Sequence, residues 1–144
     1  MRPQILYSTE QAYTGEMYGA SLRDGSLGRL LGRGEGTVDW DGRQGTIEWT
    51  NFPARRPDGA YLPNLTGVIN LDGMEHGVLY RMHGVSVMRE DAKRHFSGSI
   101  RWHTDEPEFH WLNDLIGFEE GVIDPETTRF RTRAYALHPE DPPG

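Results

Sequence analysis

The sequence predicts an all-β domain, mainly antiparallel, closed into a barrel around a pocket for an organic small molecule. Three observations carry that expectation. Eighteen Gly and nine Pro punctuate the 144 residues at short intervals, leaving few windows long enough for an ordinary helix. The stretches between them alternate apolar and polar residues at the two-residue period of a strand. Four Trp, six Tyr and five Phe supply bulky packing units to a chain that is only 35% hydrophobic, which suits a few large aromatics inside a thoroughly polar exterior.

Taken in order, residues 13–31 are interrupted by Gly15, Gly19, Gly25 and Gly28 and read as one or two short strands or loop. Residues 36–40 lead through Asp41-Gly42 into residues 46–51, with Val38, Trp40, Ile47 and Trp49 on one face and Thr37, Asp39, Thr46 and Glu48 on the other. That is a hairpin with one aromatic side. Residues 52–62 form a long loop rich in Pro, Arg and aromatics, placed to cover a barrel mouth or simply to connect. A second hairpin joins residues 65–71 to 78–87 across Asp72-Gly73; strands at 95–104 and 128–137 follow. Residues 108–115 are the one segment suited to a helical turn, with Pro107 at its start. Seven to nine strands spaced by roughly 8–12 residues indicate a barrel or sandwich, and a barrel leaves no open edge.

The length suits one domain, taken as residues 1–137, with the Pro-rich residues 138–144 expected to be a disordered tail. A net charge of −7 argues against a nucleic-acid partner. Arg55-Arg56 is too short a basic footprint, and Arg129, Arg131 and Arg133 alternate as on a solvated strand face. With no Cys, disulfides and thiolate chemistry are excluded. No secretory signal or membrane span is evident, so a cytoplasmic location without membrane association is expected.

The run Thr104-Asp105-Glu106-Pro107-Glu108-Phe109-His110-Trp111-Leu112-Asn113 resembles a signature of a family of small bacterial calycin-like barrels, unknown-function family 3237. Gly34-Glu35-Gly36, Pro57-Asp58-Gly59 and Asp72-Gly73 resemble the same family's pattern, over roughly residues 32–137. Asn64, Gly67 and Asn70 depart from it, standing where Asp and Arg are expected. The resemblance implies a closed calycin-like or lipocalin-like barrel of about eight to ten strands with a solvent-reachable cavity, frequently in a dimer; a homodimer is expected here. It implies no chemistry.

Chemistry depends on which face of each strand looks inward. On one strand Leu79, Arg81 and His83 oppose Val78, Tyr80 and Met82; on another Ser99, Arg101 and His103 oppose Ile100 and Trp102. If the aromatics look inward, Arg81, His83, Arg101 and His103 are an exposed cationic band. If the other faces do, His83 and His103 meet as a base near neutral pH, with Arg81 or Arg101 stabilising an enolate or carboxylate. The catalytic candidates are Tyr80, Arg81, His83 and His103. Candidate ligand contacts are Trp40, Trp49, Asp58, Tyr61, Asn70, Met82, Arg101, Trp102, Trp111 and Asn113.

Six His show no metal-ligand spacing, and Gly32-Arg33-Gly34-Glu35-Gly36 lacks the Lys-Ser/Thr of a phosphate loop, so neither metal nor cofactor is expected. The function expected is binding of a hydrophobic, oxygenated small molecule such as an aromatic or polyketide-like compound. Cofactor-independent acid–base catalysis, as in an isomerase, cyclase, hydratase or lyase, would act on it. The alternatives are a non-catalytic carrier or sensor, or an accessory subunit of another enzyme.

Overall fold

Turn chemistry and alternation build the molecule hairpin by hairpin, and the computed structural model describes residues 1–140 of it. Strands β1 (Arg2–Ser21) and β2 (Leu27–Trp40) form one long hairpin, so residues 13–31 are far more regular than expected. Their glycines do not stop the strands; Gly15, at φ 69°, sits within the register shift between Thr14 and Tyr18, and the ladder resumes beyond it. The turn into β3 (Arg43–Asn51) places Asp41 and Gly42 at φ 52° and 88°, the left-handed pair that a tight hairpin demands. The Asp39 carboxylate holds that turn by accepting the Gly42 N–H at 2.8 Å.

Two short strands, β4 (Ala54–Arg55) and β5 (Tyr61–Leu62), carry the loop of residues 52–62 across one end of the molecule, bridging β2 and β7. The meander then continues as β6 (Asn64–Leu71), β7 (Val78–Met88), β8 (Arg94–Thr104), β9 (Ile116–Ile123) and β10 (Arg129–His138). Every pairing is antiparallel, and β10 returns to β1 from Arg2↔His138 to Ala12↔Arg129. The eight long strands therefore close into an up-and-down barrel, as the alternation predicts. Its last strand runs through His138, one residue beyond the expected domain boundary. The part of the tail expectation that covers residues 141–144 lies outside the described residues.

Burial alternates on nearly every strand. Tyr80 and Met82 face inward with Ile100 and Trp102, and Arg81, His83, Arg101 and His103 face outward. Interior glycines make room for this aromatic filling: a Cβ at Gly34, Gly67, Gly117 or Gly121 would collide with the ring of Trp49, Tyr80, Trp102 or Phe96 respectively. A glycine in a strand usually marks such a close approach.

One end of the barrel is plugged by a 3₁₀ helix, η1 (Pro107–Asp114), whose Phe109 and Leu112 are buried. Phe109 packs on Trp40 with ring centroids 4.6 Å apart, and Trp40 in turn lies 4.7 Å from Tyr7. Among the described residues no helix is long and apolar enough to cross a membrane.

Candidate functional site

The other end of the barrel carries the 52–62 loop. A pocket of about 330 Å³ opens there, at the lower end of the size range for small-molecule sites. Its floor is Phe96, Phe130 and Leu65; its wall includes Tyr61 and Pro63 from the loop side and Tyr13 from β1. The 52–62 loop thus borders the mouth through Pro53 and Tyr61.

The pocket is mainly apolar, and Tyr13, Asn51, Ser86 and Arg94 are among the polar side chains set into it. Asn51 Nδ2 donates to the Tyr13 hydroxyl at 3.1 Å, while Asn51 Oδ1 accepts the Asn64 N–H at 3.0 Å. Tyr13 therefore keeps its own proton free, and burial raises its pKa against the smaller opposing effect of the Asn51 hydrogen bond. Ser86 is 3% exposed, and among the described residues its Oγ has no hydrogen-bond partner. Arg94 lies across the mouth with its guanidinium 4.4 Å from the Tyr61 ring centroid. Among the described residues, no Asp or Glu lines this pocket.

One layer deeper the buried interior is chemically unusual. Glu119 faces inward on β9, paired with Gly98 and Ala134, two residues along from Gly121, which lies against Phe96 of the pocket floor. Among the described residues no hydrogen bond reaches its carboxyl, and burial pushes its pKa up to about 8. It is therefore mostly neutral at pH 7. Tyr7 and Tyr80 share this layer; burial first, and then the Glu119 charge, raise both of their hydroxyls well above the usual value. The Tyr7 hydroxyl accepts the Trp102 indole N–H at 3.1 Å, which opposes the rise. Beside them Gln11 links Trp49 to Thr9, with Trp49 Nε1 donating to Gln11 Oε1 at 2.5 Å and Gln11 Nε2 donating to Thr9 Oγ1 at 2.6 Å.

Several expected site residues lie elsewhere, and each displacement has a plain cause. Arg81, His83, Arg101 and His103 cannot meet in the cavity, because the register that buries Tyr80 and Trp102 turns all four to the outer wall. Asn70 is exposed on β6 for the same reason. Asp58 is exposed, and its carboxylate accepts Arg56 Nη2 at 2.6 Å. Asn113 clasps the Thr104 backbone, accepting its N–H at 2.9 Å and donating to its carbonyl at 3.0 Å, which fixes η1 against β8. Trp111 stacks on His138 outside the plugged end at 5.7 Å, and Trp40 is packed within that end.

Of the expected contacts, Tyr61 lines the pocket, Trp49 packs edge-on against Tyr13 beneath it, and Tyr80, Met82 and Trp102 lie in the buried interior. Tyr13, Asn51, Ser86, Arg94 and Glu119 are the residues that sequence reasoning missed. A larger depression of about 690 Å³ runs over the outer wall among Glu10, Glu120, Arg131 and Arg133, an open surface of mixed charge. Among the described residues no group of three or more His, Asp or Glu is assembled to hold a metal ion.

No family model matches the chain, so its likeness to unknown-function family 3237 stays a resemblance, and no curated protein matches it either. Solved structures do. A protein of unknown function from Clostridium acetobutylicum ATCC 824 superposes with a TM-score of 0.81 at 16% identity, covering 96% of this chain and 97% of its own. A β-barrel-like protein from Acinetobacter baumannii AYE gives 0.80 at 13% identity, covering 96% and 98%. An enzyme from Penicillium herquei gives 0.58 at 15% identity, covering 93% of each chain. At these identities the likeness shows the fold alone: this chain has the closed antiparallel barrel found in bacterial proteins of unknown function.

Proposed function

We propose that the chain binds a hydrophobic, oxygenated small molecule at the open end of the barrel and performs cofactor-independent acid–base chemistry on it. The observation that carries this reading is the Tyr13–Asn51 pair in an otherwise apolar pocket. A neutral phenol whose oxygen already accepts a hydrogen bond is set to give its proton to a ligand oxygen. In an isomerisation, hydration or elimination that runs through an enolate or alkoxide, such a donor stabilises the charge on oxygen while the carbon-bound proton leaves to water at the open mouth. The weak likeness to an enzyme from Penicillium herquei supports catalysis on this fold without naming a reaction.

The second reading is a carrier or sensor, supported by a pocket lining that, among the described residues, holds no Asp, Glu or His. Glu119, Tyr7 and Tyr80 are buried below it, and none of them lines the pocket.

The two separate in one experiment. The protein is incubated with a panel of aromatic and polyketide-like ketones and the mixture followed by mass spectrometry. Product of equal mass, or one water heavier or lighter, lost in Tyr13→Phe, supports the enzyme. Binding with no conversion supports the carrier. Neither binding nor conversion refutes both.

A further inference from the structure

Resting on the reading of the open-end pocket as a ligand site, we propose that its ligand is an organic anion, a carboxylate or phenolate on an aromatic body, held by Arg94 and Ser86. Ser86 is the starting point. Ser86 lines the pocket, and its buried hydroxyl has no hydrogen-bond partner among the described residues, a state that costs free energy unless something arrives to satisfy it. On the neighbouring strand Arg94 lines the same pocket, and Ser86 and Arg94 flank the pairing of β7 and β8 at its outer end, where Ser86↔Phe96 and Met88↔Arg94 are in register.

The Arg94 guanidinium makes no salt bridge among the described residues. Its contacts are a long hydrogen bond from Nη1 to the Ser86 carbonyl at 3.4 Å and the face of Tyr61. The stack fixes the plane of the guanidinium and leaves most of its donors uncommitted. A fixed planar fork with spare donors is the geometry that grips a carboxylate by two parallel hydrogen bonds.

The charge pattern points the same way. The chain carries a net charge of −7, yet the pocket lining holds a cation and, among the described residues, no carboxylate. The surrounding wall selects the rest of the molecule: Tyr61, Phe96 and Phe130 line the pocket with aromatic surface, in a volume that suits one or two rings.

The test compares 2-naphthoate with 2-naphthamide, of nearly the same shape but without the charge, by titration calorimetry near pH 7.5 against wild type, Arg94→Gln, Arg94→Lys and Ser86→Ala. Wild type is expected to bind the carboxylate at least tenfold more tightly than the amide. Arg94→Gln should abolish that preference while leaving the amide affinity within about threefold, and Arg94→Lys should restore part of it. Ser86→Ala should weaken the carboxylate several-fold. Equal or tighter amide binding by wild type, or a carboxylate preference that survives Arg94→Gln, overturns the anion proposal and leaves the pocket reading intact. If wild type binds neither probe, the pocket reading falls and this proposal with it.

Discussion

Replacing Glu119 by Gln should remove a steep pH dependence from the stability of the fold. In the folded barrel the carboxyl holds its proton up to about pH 8, against 4.5 for the free group, because burial penalises the charged form. Between those values the folded protein binds a proton that the unfolded chain has released. The stabilisation is thus fully present below pH 4.5 and is lost as pH rises toward and past 8. At about 1.4 kcal/mol per pH unit, the whole change is about 5 kcal/mol, of which about 3 to 4 kcal/mol falls between pH 5 and pH 8. Gln has nearly the same shape and cannot ionise. Urea unfolding of both proteins at pH 5, 6, 7 and 8 isolates the effect, since every other group is common to the two. Wild type should lose stability relative to Glu119→Gln by that amount as pH rises. Parallel pH profiles would refute the reasoning, because they would mean that Glu119 ionises in the fold as readily as in water.

Other substitutions probe the remaining parts of the structure. Gly117→Ala should destabilise by about 2 to 3 kcal/mol in thermal unfolding, since the new methyl collides with Trp102 and with the Tyr135 backbone carbonyl. Asn113→Ala should cost about 1 to 3 kcal/mol by the same assay, from the two hydrogen bonds it makes to Thr104. His83→Ala and His103→Ala should each change stability by less than about 0.5 kcal/mol and leave naphthoate affinity as in wild type, because both side chains are on the outer wall. Ser86→Ala should leave stability unchanged or raise it by up to about 1 kcal/mol, as it removes a buried hydroxyl that has no partner.

The barrel was legible wherever apolar residues alternate with polar ones and Asp-Gly marks the turn, as from Val38 to Trp49. Strand β9 shows where that logic inverts. Its Ile116, Phe118 and Val122 face outward, while Gly117, Glu119 and Gly121 face the core. Hydrophobic alternation alone would bury the wrong face. The interior beside β9 is already filled by Trp102 and Phe96 from β8, and only glycines leave room for them. The signal was present as Gly-x-Glu-x-Gly, but it becomes readable only with the neighbouring strand's register in hand. Tyr13 was hidden for a related reason: Gly15 and Gly19 looked like breaks, whereas the strand carries on through a register shift. Ser86 and Arg94 could not be singled out because an unpartnered hydroxyl and an unpaired cation are properties of the packed molecule.

The most direct test of the site is a crystal structure of the protein soaked with 2-naphthoate. Density is expected at the open end, with the ring between Tyr61 and Phe130 and the carboxylate on Arg94. Density confined to the outer-wall depression near Glu120 and Arg131, with the open end vacant, would contradict it.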